Sequence, residues 1–223
     1  MTVPVTVQVT HRWVADDGDL TNATLLGAGN GEDITRGTGT ANLVRIRIRL
    51  EETAGGNFVL TPDLYFSYES GAYEACGVGT DHLRSVTSTQ AISDDDAITA
   101  NRLGAGSGTW EDGHYDENSV AETNIGLNAE HTEMEYCIYV DDATVNDGDT
   151  IDLRVYDASV ALGSYTDTPR ITVTKAAESA SLSPSASESA SLSPSASESA
   201  SLSPSASESA SLSPRASESA SLS

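Results

Sequence analysis

Apolar side chains recur along this chain at every second position, the spacing of a half-buried β-strand rather than of a helix. Val3, Val5, Val7 and Val9 alternate with polar or small residues, and Trp13 continues that face until Asp16-Asp17-Gly18-Asp19 breaks the run. The clearest strand is Leu43 to Leu50. Val44, Ile46, Ile48 and Leu50 share one face, and Arg45, Arg47 and Arg49 share the other. After a turn at Ala54-Gly55-Gly56-Asn57, the residues Leu64, Phe66 and Tyr68 alternate again. Gly71 marks a tight turn, and Tyr73 to Val78 runs back as the second arm of a hairpin. Further on, Met134, Tyr136, Ile138 and Val140 alternate with Glu133, Glu135, Cys137 and Tyr139. Ile151, Leu153 and Val155 then alternate with Asp152, Arg154 and Tyr156. The connection contains Asn146-Asp147-Gly148-Asp149, a turn signal, so these two strands read as a hairpin. A last strand, Arg170 to Thr174, follows Pro169.

Between these runs the signal is weaker. Residues 27–42 and 104–130 are rich in Gly and polar residues and read as loops with little strand. Residues 83–87 read as one more strand. Asp94-Asp95-Asp96 ahead of Ala97 to Leu103 fits one helical turn with acidic residues at its N-terminus. Seven or more short strands and no long amphipathic helix predict an all-β fold. The expected architecture is an antiparallel two-sheet β-sandwich, Ig-like or jelly-roll-like, over residues 1–177, with a closed barrel as the alternative. A segment of that length can bury a core without disulfides or metals.

From Glu178 the pattern changes. The unit Glu-Ser-Ala-Ser-Leu-Ser-Pro-Ser-Ala-Ser repeats through residues 178–223, with Arg215 in place of one Ser. Leu182, Leu192, Leu202, Leu212 and Leu222 recur at a period of ten. One leucine in ten residues cannot offset chain entropy in an isolated segment, and the regular prolines rule out long helices. The expectation is an extended stalk of about 140 Å. Rows of leucine would pack only against neighbouring chains. Val3, Val5, Val7 and Val9, together with these leucines, are therefore the candidate assembly residues.

Composition sharpens the picture. The chain has 11 basic and 34 acidic residues, a net charge of −23. The repeat holds five Glu and one Arg, so about −19 belongs to residues 1–177. Such a surface repels phosphate backbones and anionic lipid, so neither nucleic acid nor membrane is an expected partner. No run of 18 apolar residues is present. Met1 to Thr10 lacks a basic n-region and an apolar h-region, so no Sec-type signal is expected there. Two cysteines, Cys76 and Cys137, do not make a disulfide framework; one bridge or two buried thiols are the alternatives.

The chemistry is sparse, and no catalytic residue is expected. Gly104-Ala105-Gly106-Ser107-Gly108 lacks the Gly two positions before Ser107 that a nucleophile elbow needs, and Gly27-Ala28-Gly29-Asn30-Gly31 lacks the last Gly of a dinucleotide loop. His11, His82, His114 and His131 show no zinc spacing, although His114-Tyr115-Asp116-Glu117 and Glu130-His131-Thr132-Glu133 could each offer ligands. Calcium is the only cofactor considered. Its candidate ligands are Asp141, Asp142, Asp147 and Asp149, with further oxygens at Asn146, Asp16, Asp17, Asp19 and Asp94 to Asp96. None follows the EF-hand pattern, and Asp-Gly turns explain them as well. The Arg45, Arg47, Arg49 stripe is either an anion-binding surface or a row paired with Glu133, Glu135 or Asp152 on the same sheet. Asn22-Ala23-Thr24 has the spacing of a glycosylation sequon.

Three stretches run in a familiar order: Asn128 to Tyr136, Asp147 to Val155, and Tyr165 to Val173, preceded by Leu43-Val44-Arg45-Ile46-Arg47 and Leu64-Tyr65-Phe66-Ser67-Tyr68. This series, with its Ser/Pro/Ala tail, resembles an all-β domain common in tailed-phage and metagenomic virion structural proteins. The resemblance implies a non-enzymatic structural or display protein on a virion exterior, as a head decoration, head fibre or tail-associated subunit. Its partners would be further copies of itself and other virion or surface proteins. Two alternatives stand beside it. One is an extracellular or cell-surface fibre subunit joined by strand exchange through Val3 to Val9. The other is a carbohydrate-binding adhesin using Trp110 and Tyr115.

Overall fold

The computed structural model describes residues 3–77, 82–117 and 124–175. The 178–223 repeat and its five leucines lie outside the described residues. The chain forms strands β1 (Thr6–Ala15) and β2 (Ile34–Gly37), a single 3-10 turn at Thr40–Asn42, then β3 (Val44–Glu52), β4 (Phe58–Leu60), β5 (Pro62–Tyr68) and β6 (Glu74–Ala75). Next come β7 (Leu83–Ser85), β8 (Ala97–Ile98), β9 (Thr109–Trp110), β10 (Gly113–Asp116) and β11 (Ile125–Leu127). The last third holds β12 (Glu130–Val140), β13 (Thr150–Asp157), β14 (Val160–Ala161), β15 (Ser164–Tyr165) and β16 (Arg170–Thr174).

These strands make two main sheets and a small third. Sheet A runs β15-β1-β3-β12-β10-β8, with β7 and β9 also on β12. Sheet B runs β2-β16-β13-β5-β6, with β14 on β13, and β11 pairs with β4. The period-2 faces of the long strands meet as expected. Val44, Ile46, Ile48, Leu50, Met134, Tyr136 and Ile138 pack against Leu64, Phe66, Ile151, Leu153, Val155, Ile171 and Val173 in one buried core. The β5–β6 hairpin forms, with Tyr65 opposite Ala75 and Phe66 opposite Glu74.

Four expectations need correction. First, the sheets are mixed rather than antiparallel. The pairs β1/β15, β10/β12, β9/β12 and β2/β16 are parallel. Short strands are delivered to the long antiparallel ladders by crossing connections, which allow parallel pairing. Second, β12 and β13 do not form a hairpin. β12 carries β3 on one side and β7, β9 and β10 besides, and the 146–149 turn passes the chain to sheet B. Third, residues 91–103 contain no helix. Asp96 accepts from Ser93 N at 2.8 Å to close a turn, and the buried Ile98 then joins a strand against β10.

Fourth, the valines of the first strand do not face the core. A bulge between Gln8 and Thr10 resets the phase. Gln8, His11 and Trp13 lie opposite Leu50, Ile48 and Ile46 and are buried, whereas Val7 and Val9 are half-buried. Val3 and Val5 are exposed. An inward glutamine is tolerated because both ends of its amide are used. Its Nε2 donates to Asp167 O at 2.9 Å, and its Oε1 accepts from Val155 N at 2.8 Å, tying β1 to β13 of the other sheet. The 104–130 region also holds more strand than expected. Gly113 lets β10 lie close to β12, since a Cβ there would sit 1.7 Å from Glu133 O.

Candidate functional site

A two-sheet fold offers two outer faces, and here they differ. The outer face of sheet A carries the arginine stripe, and it is sealed. Arg45, Arg47, Glu133 and Glu135 are all fully buried. Glu135 accepts from Arg45 Nη1 at 2.9 Å and from Arg47 Nε at 2.6 Å, and Arg47 Nη1 lies 3.3 Å from Glu133. The same guanidiniums bind loop carbonyls. Arg45 donates to Ala15 and Gly18, Arg47 to Leu20 and Ala100, and Arg49 to Leu103, Gly104 and Ala105. Glu133 returns the contact by accepting from Leu103 N at 2.8 Å. A second apolar cluster of Leu20, Ile92, Ile98, Tyr115 and Cys137 completes the cover. Cross-strand pairing with Glu133 and Glu135 therefore holds, whereas Asp152 pairs elsewhere. The stripe is a clamp for loops, not an open anion surface.

The other sequence candidates are also engaged. His11 is buried, with Nδ1 2.5 Å from Asp167 Oδ2 and Nε2 3.0 Å from Glu32 O. Each ring nitrogen is thus engaged by one oxygen. His131 is likewise held at both nitrogens. Its Nε2 faces Gly106 N and Asn101 Nδ2, its Nδ1 faces Ser107 O, and one neutral tautomer fits all three. The calcium candidates are spread over separate contacts. Asp141 pairs with Arg84, Asp142 with Thr38 and Lys175, Asp147 with Lys175 N, and Asp149 with Tyr68 and Asn146. Among the described residues no group of three or more acidic, His or Cys side chains gathers as a metal site.

Cys76 and Cys137 are free thiols. Cys76 packs in the core between the sheets, and Cys137 points from β12 to the opposite, loop-covered side. Consecutive strand residues alternate sides, so a bridge is excluded by the placement of Tyr136 inward. Burial pushes the Cys137 thiol up to about 12 and the Cys76 thiol higher. Tyr115, expected as an exposed sugar contact, is buried, and its hydroxyl accepts from Ser88 N. Trp110 is half-buried and donates to Asp112.

The outer face of sheet B is open and carries what the sequence reading missed. Four of the eight tyrosines meet there around one arginine. Register sets Arg154 of β13 opposite Tyr65 of β5, with Tyr156 two residues on and opposite Asp63. Tyr65 and Tyr156 stack with centroids 4.0 Å apart. The Arg154 guanidinium lies 4.4 Å from the Tyr73 ring centre and 4.3 Å from that of Tyr165. Tyr165 is itself fixed, donating to Val155 O at 3.0 Å and accepting from Leu162 N at 2.9 Å. Burial raises the Tyr73 pKa, with Arg154 opposing the rise; burial likewise raises that of Tyr165, against the bond from Leu162. Both phenols are neutral hydrogen-bonding groups at ordinary pH. The neighbouring carboxylate on this face, Asp152, is held by Arg170 through two bonds of 2.7 and 3.0 Å. All five residues of the cluster are half-buried. The sequence did hold a trace of it, since Tyr65 and Arg154/Tyr156 occupy the positions between inward residues of two strands, but only the register joins them.

Set against protein-family models and curated proteins, the chain matches none of them, so what it belongs to rests on an all-β fold of two main sheets.

Proposed function

We propose that this protein is a non-enzymatic structural or display subunit of an exterior surface, most simply a component of a tailed-phage virion, and that the outer face of sheet B is its recognition surface. The observation that carries this reading is the asymmetry of the two faces. One spends its charged side chains on holding its own loops, while the other presents clustered tyrosines and a stacked arginine. Aromatic residues and arginine are the types that recur at the energetic centres of interfaces. A net charge of −23 suits a crowded exterior, where repulsion limits clumping. Immunogold labelling of purified particles should place the protein on their outside. Its absence from particles would end the virion assignment.

A second reading, self-association into a fibre, is favoured by one observation. Among the described residues Val3, Val5, Val59 and Val160 are the exposed large apolar side chains, and Val5 and Val160 line a cavity of about 170 Å³ with Pro4, Phe58 and Leu162. β1 itself lies between β3 and β15 in its own sheet, so exchange would involve residues before Thr6. Removing residues 1–5 should then abolish assembly in sedimentation runs, and unchanged assembly would reject this reading.

A further inference from the structure

Ten basic residues fall among the described residues, and nearly all are committed. Arg45, Arg47, Arg49, Arg84, Arg170 and Lys175 form ion pairs, and Arg12 and Arg102 donate to backbone carbonyls. Arg36 and Arg154 are left: among the described residues neither guanidinium meets a carboxylate or carbonyl, and the Nε of each is buried without an acceptor. Of the two, Arg154 is the one that lies against aromatic rings. Rings of Tyr73 and Tyr165 cover it. An arginine with its planar surfaces against aromatic rings keeps only its edge for hydrogen bonds. That edge is a fixed fork of donors matched to a carboxylate. Two carboxylates share this face of the sheet: Asp152 is taken by Arg170, and Asp63, opposite Tyr156, makes no ion pair with Arg154.

We infer that Arg154 is the centre of a binding site for a carboxylate-bearing sugar, of the uronic-acid type. This rests on the outer face of sheet B being the recognition surface. Three features select this chemistry. The stacked guanidinium offers a bidentate seat for one carboxylate. The tyrosine hydroxyls nearby can donate to and accept from ring hydroxyls. The surrounding protein is strongly acidic, which disfavours a polyanion but tolerates a ligand with a single charge among neutral hydroxyls. Tyr65 and Tyr156 stack on each other, which takes one face of each ring and fixes where their hydroxyls stand for polar sugar groups.

The test is an NMR titration of the full chain with methyl β-glucuronide and methyl β-glucoside, which differ only by carboxylate against hydroxymethyl. The expected result is binding of the glucuronide at least about tenfold tighter than the glucoside, as loss of a charged hydrogen-bond pair implies. Shifts should fall on Arg154 and on Tyr73 and Tyr165. Arg154→Lys keeps the charge but loses the fork, and should weaken the glucuronide by about tenfold. Arg154→Gln should abolish the preference while lowering the thermal midpoint only slightly, because the guanidinium loses two ring contacts but no hydrogen bond or ion pair to the protein. N-acetylglutamate amide, a peptide carboxylate, should bind no better than the glucoside. Equal binding of both sugars, no binding of either, a glutamate derivative that matches the glucuronide, or an unaffected Arg154→Gln would each overturn the assignment. None of these outcomes alters whether the protein sits on particles, so the two conclusions fail separately.

Discussion

Glu135→Leu lowers the unfolding free energy by about 3–5 kcal/mol, the cost of removing one partner from a buried ion pair. Glu135 is fully buried and accepts from both Arg45 and Arg47, which are buried too. Without it two guanidiniums remain in the interior, left with the longer contacts from Glu133 to Arg47 at 3.3 Å and from Asp16 to Arg45 at 3.5 Å. Replacing a whole buried ionic group by apolar residues is often neutral. Here it is not expected to be. Arg45 and Arg47 also satisfy the carbonyls of Ala15, Gly18, Leu20 and Ala100. A variant with Arg45→Met, Arg47→Met, Glu133→Leu and Glu135→Leu together therefore stays destabilised, because those carbonyls lose their donors. Urea unfolding of the two variants checks both statements. Recovery of parental stability in the fourfold variant would show that the loops do not depend on the arginines.

Acid weakens the fold through Glu52, and Glu52→Gln removes that sensitivity. The Glu52 carboxylate is enclosed at the end of β3. Burial pushes its pKa up, but N–H groups of Val5, Ala129, Ala54 and Gly55 bind it and hold the pKa at about 2 against an ordinary 4.5. A folded pKa below the unfolded one adds stability that is complete above the unfolded value. That contribution is lost as pH falls from about 4.5 to about 2. The carboxylate joins the first residues, the 54–55 turn and the start of β12 around one charge. In Glu52→Gln one amide NH₂ would face backbone donors, so the variant is less stable at neutral pH. Thermal midpoints measured against pH should converge for the two proteins near pH 2. Parallel curves with a constant gap would contradict this role.

Much of the core was legible in the sequence. Val44 to Leu50, Leu64 to Tyr68, Met134 to Val140 and Ile151 to Val155 fold as strands with the expected faces inward, because a buried sheet face forces a period of two, and Arg170 to Thr174 forms the expected last strand. The first strand was not legible in phase. Its valines are the better β-formers, yet a bulge turns Gln8 and His11 inward, where specific hydrogen bonds replace apolar contact. The sealed charged face was half legible. Arg45 and Arg47 read correctly as partners of Glu133 and Glu135, but the cover over them rests on carbonyls such as Leu20 O and Ala100 O, and a backbone carbonyl has no signature in sequence. The tyrosine cluster needed the β5–β13 register and the β6 hairpin to bring Tyr65, Tyr73, Arg154 and Tyr156 to one place, and the short strand β15, paired with β1 of sheet A, to add Tyr165.

The contrast between a closed charged face and an open tyrosine–arginine face can be read in one experiment. The native chain is treated with an arginine-selective dicarbonyl, and the rate of modification is mapped by mass spectrometry. Arg154, half-exposed and without a protein acceptor, should react well before Arg45 and Arg47, which are buried under the loops and should react only after unfolding. Modification of Arg45 and Arg47 at the rate of Arg154 would mean that the loops do not seal sheet A.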